Sequence, residues 1–243
     1  MNVALYLPGQ ARGFKSMYNN FKEKIILKFN PDIFISTWLY DFKNGQPADD
    51  EQNNWRLKDE GSYEEYIKLY KPKASILYKY NNETIKFFNR LPIGRVGPRA
   101  SVSRTRMHYF HLLSCDMLCN NFELMTNKKY DVVIKYRPDI VLNEEIVESI
   151  LLSASSNDIF YSTSFVNGTG MQVVIDVLCI SNRKLMSVFC NIYNDMEIYN
   201  SQGVLFDPEF LHIHHMLMNN VNLFDVIFSG KTANLPATYD FIR

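Results

Sequence analysis

Apolar residues along this chain come in two spacings that take turns. Val3 to Pro8 is a short continuous apolar run, Phe14 to Phe29 carries apolar positions at helical spacing, and Asp32 to Leu39 (DIFISTWL) is a second continuous run. Short runs bounded by breakers mark strands buried on both faces, whereas the wider period marks an amphipathic helix. Strand, helix and strand with short links predict a βαβ crossover, and therefore a parallel pair.

The alternation continues. Tyr63 to Tyr70 and Glu83 to Leu91 read as helices around a strand at Ala74 to Tyr78. Residues 41–61 are polar, rich in Asn, Asp and Gly and without a clean period, as expected of a surface loop or a mobile lid. A breaker-rich loop from Pro92 leads into the longest helical pattern, Ser101 to Thr126, with Met107, Phe110, Leu113, Met117 and Leu118 as its apolar stripe. A strand is expected within Tyr130 to Leu142, then a helix at Glu144 to Leu152 capped by Asn143. Asp158 to Ser162 and Val173 to Ser181 read as strands. Arg183 to Tyr199 and Pro208 to Asn220 read as helices, the second with proline at its first position. A last strand near Phe224 precedes an irregular tail. With no internal repeat, low-complexity tract or linker, one α/β domain is expected, a mostly parallel sheet flanked by helices.

Composition narrows the function classes. The 243 residues suffice for a sizeable core, and 47% hydrophobic with 21% charged residues is ordinary for a soluble globular protein. With 26 basic and 26 acidic residues there is no broad attraction to nucleic acid or anionic membrane, and no nucleic-acid-binding motif occurs. The aromatic share of 14% is read mainly as core. Cys115, Cys119, Cys179 and Cys190 match no zinc-site spacing and read as buried thiols in a reducing compartment. No basic leader precedes an apolar stretch, and no run approaches the roughly 20 apolar residues of a membrane span. A cytoplasmic protein is expected, with peripheral attachment at the inner face of the membrane left open.

The chemistry gathers where predicted strands end. In open α/β sheets the ligand crevice lies beyond the carboxyl ends of the strands. Gly9-Gln10-Ala11-Arg12-Gly13 follows the first strand and opens a helix, so backbone amides, glycine and a guanidinium would suit a phosphate or pyrophosphate; a tight turn with a solvated arginine fits equally well. The stretch Tyr130-Asp-Val-Val-Ile-Lys-Tyr-Arg-Pro-Asp139 ends in opposite charges, Arg137 and Asp139. They form either a structural ion pair or a polar-ligand site, with Asp139 toward a cation or a sugar hydroxyl. Arg95, Arg99, Arg104 and Arg106 cluster before and within the start of the long helix, where guanidinia could hold a diphosphate. Glu209, in the first turn of the last helix, would stay ionised and serve as a general base; with His212 it also has an i,i+3 metal spacing, although helical histidines more often pack. Asp176 stands at a strand start. No nucleophile elbow occurs and neither Cys115 nor Cys179 has an activating partner, which excludes the serine- and cysteine-hydrolase readings.

Three stretches in this order, Gly9-Gln10-x-Arg12 after the first strand, Asp32-Ile-Phe-Ile-Ser-Thr-Trp38, and Tyr130-Asp-Val-Val-Ile-x-x-Arg137-x-Asp139, resemble small GT-A-like glycosyltransferases of bacterial surface-polysaccharide loci and large DNA viruses. The resemblance spans about the first 140 residues and is less specific beyond. It implies a Rossmann-like sheet, with residues 1–142 holding a nucleoside-diphosphate sugar and residues 143–243 forming the acceptor side. Gly9, Gln10 and Arg12 would lie at the nucleotide, with Arg99, Arg104, Arg137 and Asp176 as further substrate contacts. Asp139 would match the last aspartate of the family's metal-binding Asp-x-Asp motif, whose first position is here Arg137. That departure weakens the metal site and leaves open whether Mn²⁺ or Mg²⁺ is used. The implied activity is transfer of a sugar from a nucleotide donor to a hydroxyl of a glycan or glycolipid acceptor in surface polysaccharide synthesis. Glu209 would be the catalytic base and Asp139 the second catalytic carboxylate. A non-catalytic nucleotide-sugar or glycan-binding protein derived from a transferase is the alternative.

Overall fold

The computed structural model describes residues 1–11, 13–40, 62–89, 94–97, 101–138, 142, 146, 148–166, 172–221 and 226–227. The chain opens with β1 (Val3–Gln10), every position of which is buried. Turns from Gly13 to Met17 follow, and only then does the expected first helix begin, as α1 (Tyr18–Phe21) and α2 (Leu27–Phe29) joined by a π turn at Lys22–Ile26. Asn30 ends it in the left-handed conformation, a stop that asparagine tolerates. β2 (Asp32–Tyr40) comes next, then α3 (Tyr63–Tyr70), whose Ser62 and Glu65 form a reciprocal capping box. β3 (Ala74–Tyr80), α4 (Asn82–Asn89) and the 25-residue α5 (Val102–Thr126), with Ser101 as its N-cap, complete this portion.

The remainder is β4 (Val132–Tyr136), α6 (Glu148–Ser156), β5 (Phe160–Val166), β6 (Gln172–Asn182), α7 (Arg183–Cys190), α8 (Ile192–Ser201), α9 (Pro208–Met218) and β7 (Val226–Ile227). Three boundaries differ from expectation. The single helix expected at 183–199 is divided at Asn191, and α6 starts at Glu148 and runs on to Ser156. β6 begins at Gln172, so Asp176 lies inside a strand rather than at its start. The residues 41–61 and the Asn143 cap lie outside the described residues.

The sheet order is β3-β2-β1-β4-β6-β5-β7. All neighbours are parallel except those of β6, which runs against both β4 and β5. The mostly parallel α/β sheet is therefore as the sequence predicts. The chain lays β2 and β3 to one side of β1 and then returns to place β4 on the other, which makes the gap between β1 and β4 a topological switch point.

Helices cover both faces. On one, Leu5, Ile35 and Ile134 pack with Phe21, Tyr70 and Leu151; on the other, Tyr6, Phe34 and Val133 pack with Leu112, Cys115 and Phe189. All four cysteines are buried on this second side and none forms a disulfide. The burial of α5 departs from the expected stripe. Met117 is 57% exposed, while Arg106, His111 and Glu123 are buried with Tyr109 and Leu112. This helix packs on the sheet and against α7 and α8, so polar side chains with tertiary partners share its buried surface.

One such partner is Arg183. It pairs with Asp116 and, at 3.0 Å, with Glu123, both on α5; Tyr6 donates to the same Asp116 at 3.1 Å, and Ser187 joins from α7. Arg183→Met would leave two largely buried carboxylates uncompensated and should destabilise the fold by about 3–5 kcal/mol. Urea denaturation with an unchanged m value is the check.

At the amino edge of the sheet Asp32 accepts from Lys128 at 2.6 Å and Tyr130 at 2.7 Å, with Lys73 at 3.6 Å. Burial pushes this carboxyl up, but those hydrogen bonds and the two ammonium charges outweigh it and hold Asp32 below its usual range. A depressed folded value means stability that is present above about pH 4, where the unfolded group ionises, and is lost as pH falls through the folded value. Wild type should therefore unfold at higher urea than Asp32→Asn at neutral pH, and the gap should close on acidification below about pH 3.

Candidate functional site

The end of β1 is built around Gly9. Its φ of +103° is a conformation that L side chains rarely adopt, and a Cβ there would sit 3.5 Å from the Trp38 ring. The parallel register sets Gly9 opposite Thr37 and Gln10 opposite Trp38. Gln10, Ala11 and Phe14 are buried, so the turn after the strand is tied into the body of the protein rather than waving above it. Arg12 lies outside the described residues.

β4 ends beside it. Tyr6 of β1 pairs with Lys135, so each strand leaves the ladder within a few residues of that pair. Arg137 is half-buried and its N–H donates to the carbonyl of Val177 at 3.1 Å. Because Tyr136 pairs antiparallel with Leu178, the backbone of Asp176 comes to this same edge next to Arg137. Asp139 and the side chain of Asp176 lie outside the described residues.

The long helix delivers a third element. Going up β2, Asp32 meets Lys128, Phe34 meets Phe122, and Ser36 and then Trp38 meet His111, so α5 runs antiparallel to the strands. Its N-terminus, with the cap Ser101 and a half-buried Arg104 in its first turn, therefore stands over the carboxyl edge of the sheet. Arg106 is different. It is buried, donates to the Phe88 carbonyl and pairs with Glu197 at 3.1 Å, so it holds α4 and α8 against α5 and leaves the cationic run expected at this edge. Arg99 lies outside the described residues.

α9 is anchored against α5 at its first residue. Asp207 caps it by accepting from the Glu209 N–H at 3.2 Å, and Tyr109 donates to the Pro208 carbonyl at 2.7 Å. Glu209 is half-buried near the positive end of its own helix, next to Pro208, which Tyr109 holds about one and a half turns along α5 from Arg104. His212 is buried and lies tilted against Phe189 at 4.4 Å. Among the described residues no group of three His, Cys, Asp or Glu side chains is arranged to hold a metal ion. Of the expected site residues at the ends of β1 and β4, the described side chains are Gln10 and Arg137, an amide and a guanidinium, a pair that suits an anion better than a divalent cation.

Two features of this edge escape a reading of the sequence. His111 is fully buried, shares a 2.7 Å hydrogen bond with Ser36 through Nδ1 and lies tilted against Trp38 at 4.7 Å; burial, with His108 nearby, lowers it to about 3, so it is neutral at physiological pH. Lys135 is also fully buried, in the middle of β4. A lysine inside an otherwise apolar strand was the available signal, since buried amines are rare without partners. For His111 there was none, because Ser36 and Trp38 are far from it in sequence.

The sequence matches no protein-family model and no curated protein. Among the described residues no helix is long and apolar enough to cross a membrane.

Gly9→Ala should cost about 1–3 kcal/mol from its backbone conformation. Gly203→Ala, at φ +94° with nothing within 4 Å of an added Cβ, carries comparable strain away from this edge and is the matched control. If the edge binds an anion, Gly9→Ala should weaken that binding by more than tenfold, roughly 1.4 kcal/mol, and Gly203→Ala should leave it unchanged, as measured by calorimetric titration.

Proposed function

We propose that this protein is a nucleotide-sugar-dependent glycosyltransferase with a GT-A-like architecture. The reading rests on one observation: the turn at Gly9–Gln10 and the half-buried Arg137 bracket the switch point between β1 and β4. An α/β sheet with this reversal binds ligands in that crevice, and a guanidinium beside a glycine turn fits a diphosphate. Arg104 at the N-terminus of α5 adds charge of the same sign, and Asp176 reaches the same edge through its backbone.

In the proposed reaction an acceptor hydroxyl attacks the anomeric carbon of the donor sugar. The bond from that carbon to the diphosphate oxygen breaks, and the nucleoside diphosphate leaves with the electron pair. Arg137 and Arg104, with Arg12 and Arg99 from outside the described residues, would hold the charge that grows on the leaving group. Glu209 takes the proton of the hydroxyl, which implies inversion at the anomeric carbon. The residues described at the crevice do not fit a divalent ion, so no step is assigned to one; Asp139, outside the described residues, remains the family's metal-ligand position and the second catalytic carboxylate of this proposal. Surface-polysaccharide synthesis is the setting the resemblance implies. Arg137 in place of the family's first aspartate favours a second reading, a binding protein that holds nucleotide sugars without turnover.

Thermal shift against uridine, guanosine, cytidine and thymidine diphosphates, with and without Mn²⁺, tests the donor site. At about 100 times Kd the matching nucleotide should add roughly 2.7 kcal/mol of stability. Release of nucleoside diphosphate from a donor sugar should then fall about 100- to 1,000-fold in Arg137→Ala, the scale of losing one group that stabilises the transition state. Asp139→Ala should abolish release with the unfolding midpoint little changed. Tight binding without release in wild type, with acceptor supplied, would establish the second reading.

A further inference from the structure

The sheet ends at β3 without the devices that usually close an edge. β3 stands last in the strand order, and among the described residues no strand lies beyond it. Its seven residues, Ala74–Tyr80, pair with β2 in a register free of bulges, contain no proline and carry one charge, Lys79, near the far end. A long, flat, apolar edge recruits another strand, which is why charges, prolines, bulges or short length guard most of them.

The Ile33 carbonyl faces β3, where it accepts from the Lys73 N–H at 2.8 Å. Through the register of Phe34 with Ala74, alternation turns the main-chain groups of Ala74, Ile76 and Tyr78 toward β2 and those of Ser75 and Leu77 away from the sheet. The side chains alternate too. Tyr78 meets Phe110 of α5 at 4.9 Å and Ala74 packs against the cluster of Phe34 and Leu112, so Ile76 between them shares the α5 face. Ser75 accepts from the Tyr63 hydroxyl of α3 at 2.8 Å, so Leu77 lies on the opposite face. Ile76, Leu77 and Tyr78 are all half-buried. On α5, Met117 and Leu124 follow Phe110 at heptad spacing and share its flank toward β3, where they are 57% and 69% exposed.

We propose that β3 is the interface with a second copy of this chain, the two strands pairing antiparallel about a two-fold axis normal to the sheet. The strand is its own complement. Pairing all seven residues sets Leu77 against its own copy, Ile76 against Tyr78 and Ser75 against Lys79, so apolar and aromatic side chains meet and no like charges face each other. A slip toward the amino end would put Lys73 against Lys79 instead. An edge about 23 Å long, with a helix layer on each face, presents roughly 700 Å², close to the 800 Å² or so that each partner buries in a stable complex. The two-fold sends the carboxyl edges in opposite directions and leaves both crevices open, since β1 lies two strands inward of β3. Dimerisation is therefore independent of the transferase reading.

Sedimentation equilibrium of the full chain between about 1 and 100 μM should show a monomer–dimer equilibrium with a Kd in the micromolar range or tighter. Leu77→Glu and Leu77→Lys each place like charges on the two-fold axis and should weaken the dimer at least about tenfold. An equal mixture of the two variants should restore it, because opposite charges then meet. Leu77→Cys carries the same test without a charge at a half-buried position. Its thiols would sit on residues about 5.5 Å apart between Cα atoms and should link on oxidation, whereas Ser75→Cys, roughly 14 Å from its own copy, should not. The four native cysteines are buried and do not compete. A monomer throughout the concentration range would overturn the proposal and leave the edge to a strand of another protein. So would a dimer untouched by Leu77→Glu, a charge-swapped mixture that stays monomeric, or Ser75→Cys linking as fast as Leu77→Cys.

Discussion

The position of α5 depends on one guanidinium. Arg183 enters the space between helix and sheet and meets Asp116 and Glu123, two carboxylates spaced about two turns apart on the same helix. Tyr6, from the central strand, completes the contact with Asp116. A sliding movement of α5 along its axis would separate all of these charges together, in surroundings where unpaired charge is expensive. Apolar packing alone is less particular about register, because hydrophobic contact is non-directional. The ion cluster therefore fixes how far the N-terminus of α5 projects over the carboxyl edge.

The two ends of the sheet divide their work accordingly. At the amino edge, Asp32 with Lys128 and Tyr130 closes the strands with charge that serves only the fold. At the carboxyl edge the strands end in glycine, glutamine and arginine, and the helix above them contributes a positive end. Trp38 and the neutral His111 fill the space beneath Gly9 and Ser36, which gives the crevice a firm floor on the β2 side.

Much of this was legible from the chain itself. β1 and β2 are buried on both faces, and their unbroken apolar runs say so; Ser62 with Glu65 and Pro208 announce their helices by capping chemistry alone. The strand ends at Gly9 and Arg137 could also be placed, because sheet topology puts ligand chemistry there. What resisted was governed by partners distant in sequence. The buried face of α5 carries Arg106, His111 and Glu123, which no hydrophobic period can reveal, since each is buried only because Glu197, Ser36 or Arg183 meets it. The run of four arginines looked uniform, yet Arg106 faces inward while Arg95 is exposed. Helical periodicity likewise carried straight through Asn191, where α7 and α8 divide, because that residue keeps right-handed helical angles.

The four cysteines bear on how the molecule can be followed in solution. All lie in the core layer on the α5 side of the sheet, where burial pushes Cys115 and Cys190 up and Cys119 up to about 12. A protonated, enclosed thiol is a poor nucleophile, so alkylating reagents meet nothing to react with while the layer stays shut. Loosening of a surface segment leaves them silent, whereas separation of α5, α7 and the sheet exposes them together. The rate of alkylation is thereby a built-in clock for the rarest, largest openings of the protein, and needs no introduced label to read.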